Sequence, residues 1–237
     1  MIKPSFKPAG DSALAVEWEA PVTPELNNYI AGLRRELEQR LAGGVIETIP
    51  AYQTLLVCYD PEVIDYSSLV SEIGRLLPGG RQATRIHRNK TVRIPVFYGG
   101  QYGPDLAQIA AEKQITPDDV VKIHSGAVYR VYAIGFLPGF PYLGFVDKSI
   151  ATPRKRRPRA VVPAGSVGIA GTQTGIYSLT SPGGWQIIGR TPVKLFKVES
   201  NEFLLSVGDQ VIFQSVGDDI GYGDINPEAW GDLYREG

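Results

Sequence analysis

Histidine is the only side chain whose ordinary pKa lies near neutrality, and this chain has two. His124 ends a short predicted helix, just before the tyrosine-rich stretch AVYRVYAIG, whereas His87 lies in a linker. A general acid or base that works at pH 7 needs a group of this pKa, so His124 is a candidate catalytic residue. The alternative is a structural role, because a histidine at a helix C-terminus complements the helix dipole.

Aromatic, glycine and proline residues concentrate between residues 135 and 192, which favours a rigid concave binding surface. This part contains the stretches GFLPGFPYLGF, VPAGSVGIAGTQTGIYS and SPGGWQIIGRTP. Ligand pockets combine apolar walls with a few convergent polar groups, and Gln173, Tyr177 and Arg190 supply such groups here. The alternative is a hydrophobic core with strained turns. The aromatic side chains predicted to contact a partner are Phe136, Phe140, Tyr142 and Phe145.

The run PRKRRPR, residues 153–159, places five positive charges in seven residues. Such a run can bind nucleic acid or phosphate, but it contains no aromatic residues for stacking on bases. The chain as a whole has a net charge of −1, which also argues against a nucleic-acid partner. We therefore interpret the run as a solvated loop or a surface for an acidic partner, with Arg159, next to the following strand, pointing inward.

Glycine-rich phosphate loops of the Walker A and G-x-G-x-x-G types are absent from the sequence. Gly165, Gly168 and Gly171 are spaced by three residues, which leaves two interpretations open. Their backbone N–H groups can surround an anion, or the glycines can mark bends of a β-barrel.

Composition excludes several classes of protein. The 237 residues include 24 Lys and Arg against 25 Asp and Glu, and 43% hydrophobic residues. The single cysteine, Cys58, excludes an internal disulfide, and two histidines with one cysteine do not make a structural zinc site. No apolar run approaches the roughly 18 residues of a membrane span. We expect a cytoplasmic protein with neither a metal site nor a membrane segment.

We expect two domains of different secondary structure to position these residues, with the boundary between residues 88 and 89. In residues 1–88, hydrophobic periodicity predicts the order β-α-β-β-α, with Thr23 capping the first helix and Ser67 capping the second. This order favours a ferredoxin-like α+β domain. In residues 89–237, two short helices precede many short strands between Gly and Pro turns, which predicts a small mainly-β barrel.

Several long blocks resemble the allophanate hydrolase subunit 1 family. They are GFLPGFPYLG, VPAGSVGIAGTQTGIY and SPGGWQIIGRTP, supported by GDSAL near the start and by YGGQYGPDL. The resemblance covers essentially the whole chain and implies a cyclophilin-like barrel in the C-terminal domain. Phe145 and Ser178 depart from the family pattern, where Gly and Pro are frequent, and both lie at the rim of the expected pocket.

The resemblance implies a component of an ATP-dependent 5-oxoprolinase, which opens 5-oxo-L-proline to L-glutamate. The implied partners are a PxpC- or KipA-like subunit 2 and a PxpA subunit of the LamB/YcsF type, and the implied cofactor is ATP, used by the complex. Two alternatives stay open. One is a KipI-like inhibitor that binds a histidine kinase and blocks its autophosphorylation, and the other is a subunit related to carboxyltransferases or allophanate hydrolases.

The chemistry of lactam opening assigns roles to the residues that these blocks bring together. Cations are needed for phosphate and for the substrate carboxylate, and Arg159 and Arg190 are the candidates, with Tyr177 beside them. His124 is the candidate for proton transfer, and Gln173 for donating to the developing oxyanion. Because the chain lacks a recognisable nucleotide loop, we expect it to be inactive without its partner subunits.

Overall fold

A computed structural model describes residues 3–77, 89–217, 220–229 and 234–235. The chain divides into two compact units, Met1–Arg88 and Asn89–Gly237. Within the described residues there are sixteen strands and four α-helices, so the fold is mainly β. None of these helices combines the length and the apolar character that crossing a bilayer requires.

The first unit packs two helices against an antiparallel sheet with the strand order β1-β2-β4-β3. Its elements are β1 (Ser5–Pro8), β2 (Ala13–Glu17), α1 (Pro24–Arg40), β3 (Val45–Ala51), β4 (Thr54–Tyr59) and α2 (Tyr66–Leu76). The hydroxyl of Thr23 accepts the N–H of Leu26 at 3.2 Å, which confirms the predicted cap of α1. The predicted cap of α2 is wrong, because the carboxylate of Asp65, not Ser67, accepts the first free N–H groups.

The predicted ferredoxin-like arrangement of the N-terminal part is also wrong. A ferredoxin-like sheet takes its last strand from the chain that follows the second helix. Here the edge position beside β2 belongs to β1, which comes before both helices, with Ser5 opposite Glu17 and Pro8 opposite Leu14. Strand β1 was not predicted from the sequence, because its segment SFKP ends in proline and follows a second proline, Pro4. Proline is tolerated in a sheet at edge positions such as this one.

The second unit is built on a closed barrel of seven strands, which confirms the predicted barrel. The strand order is β6-β15-β5-β12-β9-β10-β7, and β7 pairs with β6 to complete the ring. The barrel strands are β5 (Thr91–Tyr98), β6 (Val128–Ile134), β7 (Pro141–Gly144), β9 (Ser166–Ala170), β10 (Gln173–Ile176), β12 (Gln186–Arg190) and β15 (Gln210–Ser215). Strands β5 and β15 run parallel, and the other neighbours are antiparallel.

The remaining elements of the second unit are two helices, two strand pairs and a short terminal strand. They are α3 (Leu106–Lys113), α4 (Pro117–Ser125), β8 (Arg159–Val162), β11 (Ser181–Gly183), β13 (Phe196–Lys197), β14 (Glu202–Phe203), the 3-10 helix Tyr222–Asp224 and β16 (Tyr234–Arg235). β8 pairs with β11 and β13 with β14, and β16 adds to β5. α4 begins with the predicted capping box, in which Thr116 and Asp119 exchange hydrogen bonds.

Gly165 joins the ends of three barrel strands in a way that only glycine permits. Its φ is +81°, and its N–H donates to the carbonyl of Tyr177 at 2.7 Å, while its own carbonyl accepts the N–H of Thr191 at 2.9 Å. The N–H of Gly171 likewise donates to the carbonyl of Thr152 at 2.8 Å. Since these N–H groups are already bonded to the protein, the geometry favours barrel bends over an anion nest.

Replacing Gly165 with alanine is predicted to destabilise the barrel strongly. A Cβ at this position would lie 2.1 Å from the carbonyl oxygen of Thr191, so the backbone must move. The positive φ costs about 1–2 kcal/mol for an L-residue, and overpacking adds about 1–3 kcal/mol. Gly171→Ala is the matched control, because it has φ +63° and nothing within 4 Å of its Cβ. Urea unfolding of both variants measures the difference, and equal losses of stability would contradict this account.

Candidate functional site

An open cleft of about 720 Å³ lies on the second unit beside β7, β10 and β11. Aromatic side chains form its walls, namely Phe136, Tyr142, Tyr177 and Trp185. The polar side chains of Gln173 and Arg154 also line it, and most other lining residues are Gly or Pro. Its volume is in the range of small-molecule sites, and its mixture of apolar walls with few polar groups is typical of them.

Phe140 lies beneath the aromatic walls of the cleft and contacts the four rings that form them. Its ring is 1% exposed and packs against four neighbours. The ring centroids lie 5.6 Å from Phe136, 4.9 Å from Tyr142, 5.3 Å from Tyr177 and 5.4 Å from Trp185. Three of these contacts are edge-to-face, which is a favourable arrangement of aromatic quadrupoles. Phe140 therefore shapes the cleft from the interior, whereas Phe136, 60% exposed, reaches the surface.

The segment SPGGW, residues 181–185, packs closely against the phenol of Tyr177. A Cβ on Gly183 would lie 2.2 Å from the Tyr177 hydroxyl, so the glycine makes room for it. Burial raises the pKa of Tyr177 above its usual value, against the opposing effects of the backbone N–H of Trp185 and the charge of Arg154. The phenol is consequently protonated at neutral pH and can donate a hydrogen bond to a ligand.

Behind the cleft, the carboxylate of Asp105 binds two side chains of the basic run. One oxygen accepts Lys155 Nζ and Arg159 Nη2, each at 2.7 Å, and the other accepts the backbone N–H of Ile187 at 2.6 Å. The residue is 3% exposed. Burial raises the pKa of this carboxyl, but the hydrogen bonds from Arg159 and Lys155 outweigh it and lower the pKa overall. Asp105 is therefore a buried anion that two cations stabilise.

Further hydrogen bonds fix the start of the same basic run. The N–H of Lys155 donates to the carbonyl of Gly184 at 2.7 Å, and Gln186 Nε2 donates to the carbonyl of Pro153 at 3.1 Å. Arg159 also donates to the carbonyl of Trp185 at 3.4 Å. The run is thus attached to the segment that leads into β12, and it forms one side of the cleft.

His124 lies inside the barrel, fully buried, and does not line the cleft. The Thr174 hydroxyl donates to the carbonyl of Gly168 at 3.0 Å, so it accepts from His124 Nε2–H at 2.9 Å. Nδ1 then accepts the hydroxyl of Tyr98 at 2.8 Å. The imidazole also stacks on Phe213, with 4.6 Å between centroids. Burial lowers the pKa of His124 to about 3, so the ring is neutral and both nitrogens are occupied.

Arg190 lies away from the cleft, at the end of β12. Its Nε donates to the carbonyl of Ala164 at 2.8 Å, and its guanidinium lies 5.4 Å from the ring centre of Tyr222. Tyr222 in turn stacks on Tyr102, with 5.1 Å between centroids. Phe145, 46% exposed, packs on Tyr132 and also lies outside the cleft lining.

The structure therefore brings together some of the predicted site residues and separates others. Gln173, Tyr177, Phe136 and Tyr142 line one cleft. Phe140 and Arg159 support that cleft from behind, and Arg190 lies elsewhere. Within the described part of the chain, no group of three or more His, Cys, Asp or Glu side chains is arranged to hold a metal ion.

Comparison with known proteins assigns the family. Residues 4–206 match the family described as "Carboxyltransferase domain, subdomain C and D". The chain belongs to this family. The match confirms the resemblance found in the sequence, since proteins named as the B subunit of 5-oxoprolinase match as well. The relative from Bacillus subtilis (strain 168) is 40% identical over 220 residues, which is 88% of this chain and 91% of that protein.

A second relative and a solved structure agree with this assignment. The 5-oxoprolinase B subunit of Escherichia coli O157:H7 is 42% identical over 211 residues, covering 86% of this chain and 92% of that protein. The crystal structure of TTHA0988 superposes with a TM-score of 0.76 at 36% identity. It matches 86% of this chain, and the chain spans 40% of the length of TTHA0988.

Sequence reasoning missed two residues that define the cleft of this family member. Arg154 stood in the basic run without a specific role, and Asp105 lay near the start of a predicted helix and within the block YGGQYGPDL, with no role assigned to it. In the structure Asp105 stands at the N-cap of α3 but makes no side-chain cap hydrogen bond, because its carboxylate binds Lys155 and Arg159 instead. Its partners are 50 and 54 residues away along the chain, which no local pattern indicates.

The buried neutral state of His124 predicts a specific pH dependence of stability. The pKa is about 3 in the folded protein and 6.5 in the unfolded chain, so the unfolded state binds the extra proton between these values. Stability is therefore fully present above about pH 6.5 and falls by up to about 1.4 kcal/mol per pH unit on acidification. The variant His124→Gln has no titrating imidazole, so it lacks this contribution to the pH dependence of the free energy of unfolding. Urea unfolding between about pH 7 and pH 4 should give a shallower slope for the variant, and parallel slopes would contradict the assignment.

Proposed function

We propose that this chain is the B subunit of an ATP-dependent 5-oxoprolinase, which opens 5-oxo-L-proline to L-glutamate. The observation that carries the proposal is the 38–42% identity to three proteins that bear this subunit's name, with 86–88% of this chain aligned. Identity of this order extends over 91–95% of the length of those relatives. The chain is accordingly a component of a hydrolase complex.

The reaction explains why ATP is needed. A five-membered lactam is stable in water, so its oxygen must first be made a leaving group. In the proposed sequence, the lactam oxygen attacks the γ-phosphate of ATP and ADP departs. Water then adds to the activated carbon, and the ring C–N bond breaks to give the free amine and an acyl phosphate. A second water hydrolyses the acyl phosphate to the carboxylate and inorganic phosphate. The groups that this sequence requires are donors to the lactam oxygen, a binding site for the carboxylate, and a phosphate site.

We place the lactam ring in the aromatic cleft. Its flat walls suit a small ring, and Gln173 and Tyr177 offer side-chain donors to the lactam oxygen. Arg159 supports this wall through Asp105 rather than contacting the substrate. His124 and Arg190 have no role in substrate contact in this proposal, because neither lines the cleft. Proton transfer and phosphate binding then fall to partner subunits.

The proposed partners are a PxpC- or KipA-like subunit 2 and a PxpA-like subunit of the LamB/YcsF type. Support comes from the name of the relatives, which designates one subunit among several. A second line of support is the sequence, which contains neither of the glycine-rich nucleotide loops discussed above. The isolated chain is therefore inactive in this proposal, and ATP is used by the assembled complex.

Reconstitution tests the proposal directly. This chain, the cognate subunit 2 and the PxpA-like subunit are purified separately, and glutamate release from 5-oxo-L-proline is measured with and without ATP. We expect turnover only when all three proteins and ATP are present, because catalysis is shared. Omitting each protein in turn is the control. Full turnover without this chain, or by this chain alone, contradicts the proposal, and inhibition of histidine kinase autophosphorylation instead would support the KipI-like alternative.

A further inference from the structure

The aromatic cleft contains a single charged side chain. Among its lining residues, within the part of the chain that the structure describes, Arg154 is the one cation and no carboxylate is present. The charge of Arg154 acts on both phenols of the cleft, lowering the pKa of Tyr142 and Tyr177 against the larger effect of burial, which raises them. Arg154 and both phenols line the same cleft, and no anion of that lining balances the charge of the guanidinium.

Arg154 is exposed but is held in place through its neighbours. The carbonyl of Pro153 accepts a hydrogen bond from Gln186, and the N–H of Lys155 donates to Gly184. The Arg154 side chain runs beside Gly184, where a Cβ would lie 3.8 Å from its Nε. The backbone on both sides of Arg154 is therefore hydrogen-bonded to the segment that leads into β12, which places the start of this side chain at the edge of the cleft.

Charge pairing within the basic run singles out the same residue. Asp105 forms ion pairs with Lys155 and Arg159, and neither of these residues lines the cleft. Arg156 and Arg157 are exposed and do not line it. Of the five cations in residues 153–159, Arg154 alone combines a position in the cleft with a guanidinium that has no carboxylate partner among the described residues.

The surroundings favour a carboxylate over a phosphate. A guanidinium matches a carboxylate and a phosphate alike through two parallel hydrogen bonds, so the rest of the cleft decides between them. Phosphate sites usually add a helix N-terminus or a set of backbone N–H groups, and none of the described helices contributes to this cleft. The aromatic walls next to the cation suit a compact, flat body attached to that carboxylate.

We propose that Arg154 is the specificity-determining residue of the cleft, binding the carboxylate of a small cyclic acid whose ring lies against Tyr142 and Tyr177. This inference rests on the proposed function only in naming 5-oxo-L-proline as that acid. It adds a role that neither the family blocks nor the sequence analysis assigned to Arg154.

Binding by the full chain tests the inference. Calorimetric titration compares 5-oxo-L-proline with its neutral amide, 5-oxo-L-prolinamide, on wild type, Arg154→Gln, Arg154→Lys and Arg157→Gln. We expect Arg154→Gln to weaken binding of the acid by roughly tenfold or more, since a hydrogen-bonded ion pair is lost. Arg154→Lys should bind the acid more tightly than Arg154→Gln does, but less tightly than wild type. Lysine keeps the positive charge but lacks the two parallel N–H donors of the guanidinium. Arg157→Gln, the matched control in the same loop, should bind like wild type.

Three results would overturn the inference. They are equal affinity of wild type and Arg154→Gln for the acid, equal affinity of wild type for the acid and the amide, and no saturable binding of the acid by wild type. Competition by inorganic phosphate that depends on Arg154 and exceeds that of the acid would reassign the site to phosphate.

The proposed function and this inference fail in different ways. If the reconstituted complex turns over but Arg154→Gln leaves its KM unchanged, the inference is wrong and the function stands. If the complex is inactive but the isolated chain binds the acid through Arg154, the function is wrong and the inference stands.

Discussion

The buried carboxylate of Asp105 is the constraint on which the candidate site depends. An ionised group that is 3% exposed must be compensated, and Lys155, Arg159 and the N–H of Ile187 do this from two separate parts of the chain. The pairing attaches a loop of five cations to β12. Two of those cations are paired with Asp105, and Arg154 is the one that lines the cleft.

Strand β10 connects this cleft to the interior of the barrel. Successive residues of a strand point to opposite faces, so Gln173 lines the cleft while Thr174 points inward to His124. The hydrogen bonds of His124 to Thr174 and Tyr98 tie α4 to two barrel strands, β10 and β5. The only described histidine thus contributes to the structure that carries the site.

The features that were predicted correctly from the sequence are those that depend on local patterns. The barrel, the cap of α1 and the capping box of α4 follow from turn residues, periodicity and spacing. Four of the residues taken from the aromatic blocks, Phe136, Tyr142, Gln173 and Tyr177, line one cleft. The features that were not predicted depend on contacts between distant parts of the chain. The edge strand β1 is short and flanked by proline, and the separation of Arg190 from Gln173 follows from strand order in the closed barrel. Asp105 and Arg159 are 54 residues apart, so their contact appears only in the folded chain.

Hydrogen exchange at the backbone amide of Lys155 tests most directly whether Asp105 orders the basic loop. This amide lies within the basic run and donates to the carbonyl of Gly184, so its protection reports the attachment of the loop. The account predicts that Asp105→Asn lowers its protection by about tenfold or more, the equivalent of a lost charge-assisted hydrogen bond. The amide of Tyr177, bonded to Ser166 at 2.9 Å, should keep its protection. Unchanged protection of Lys155 in the variant would contradict the account.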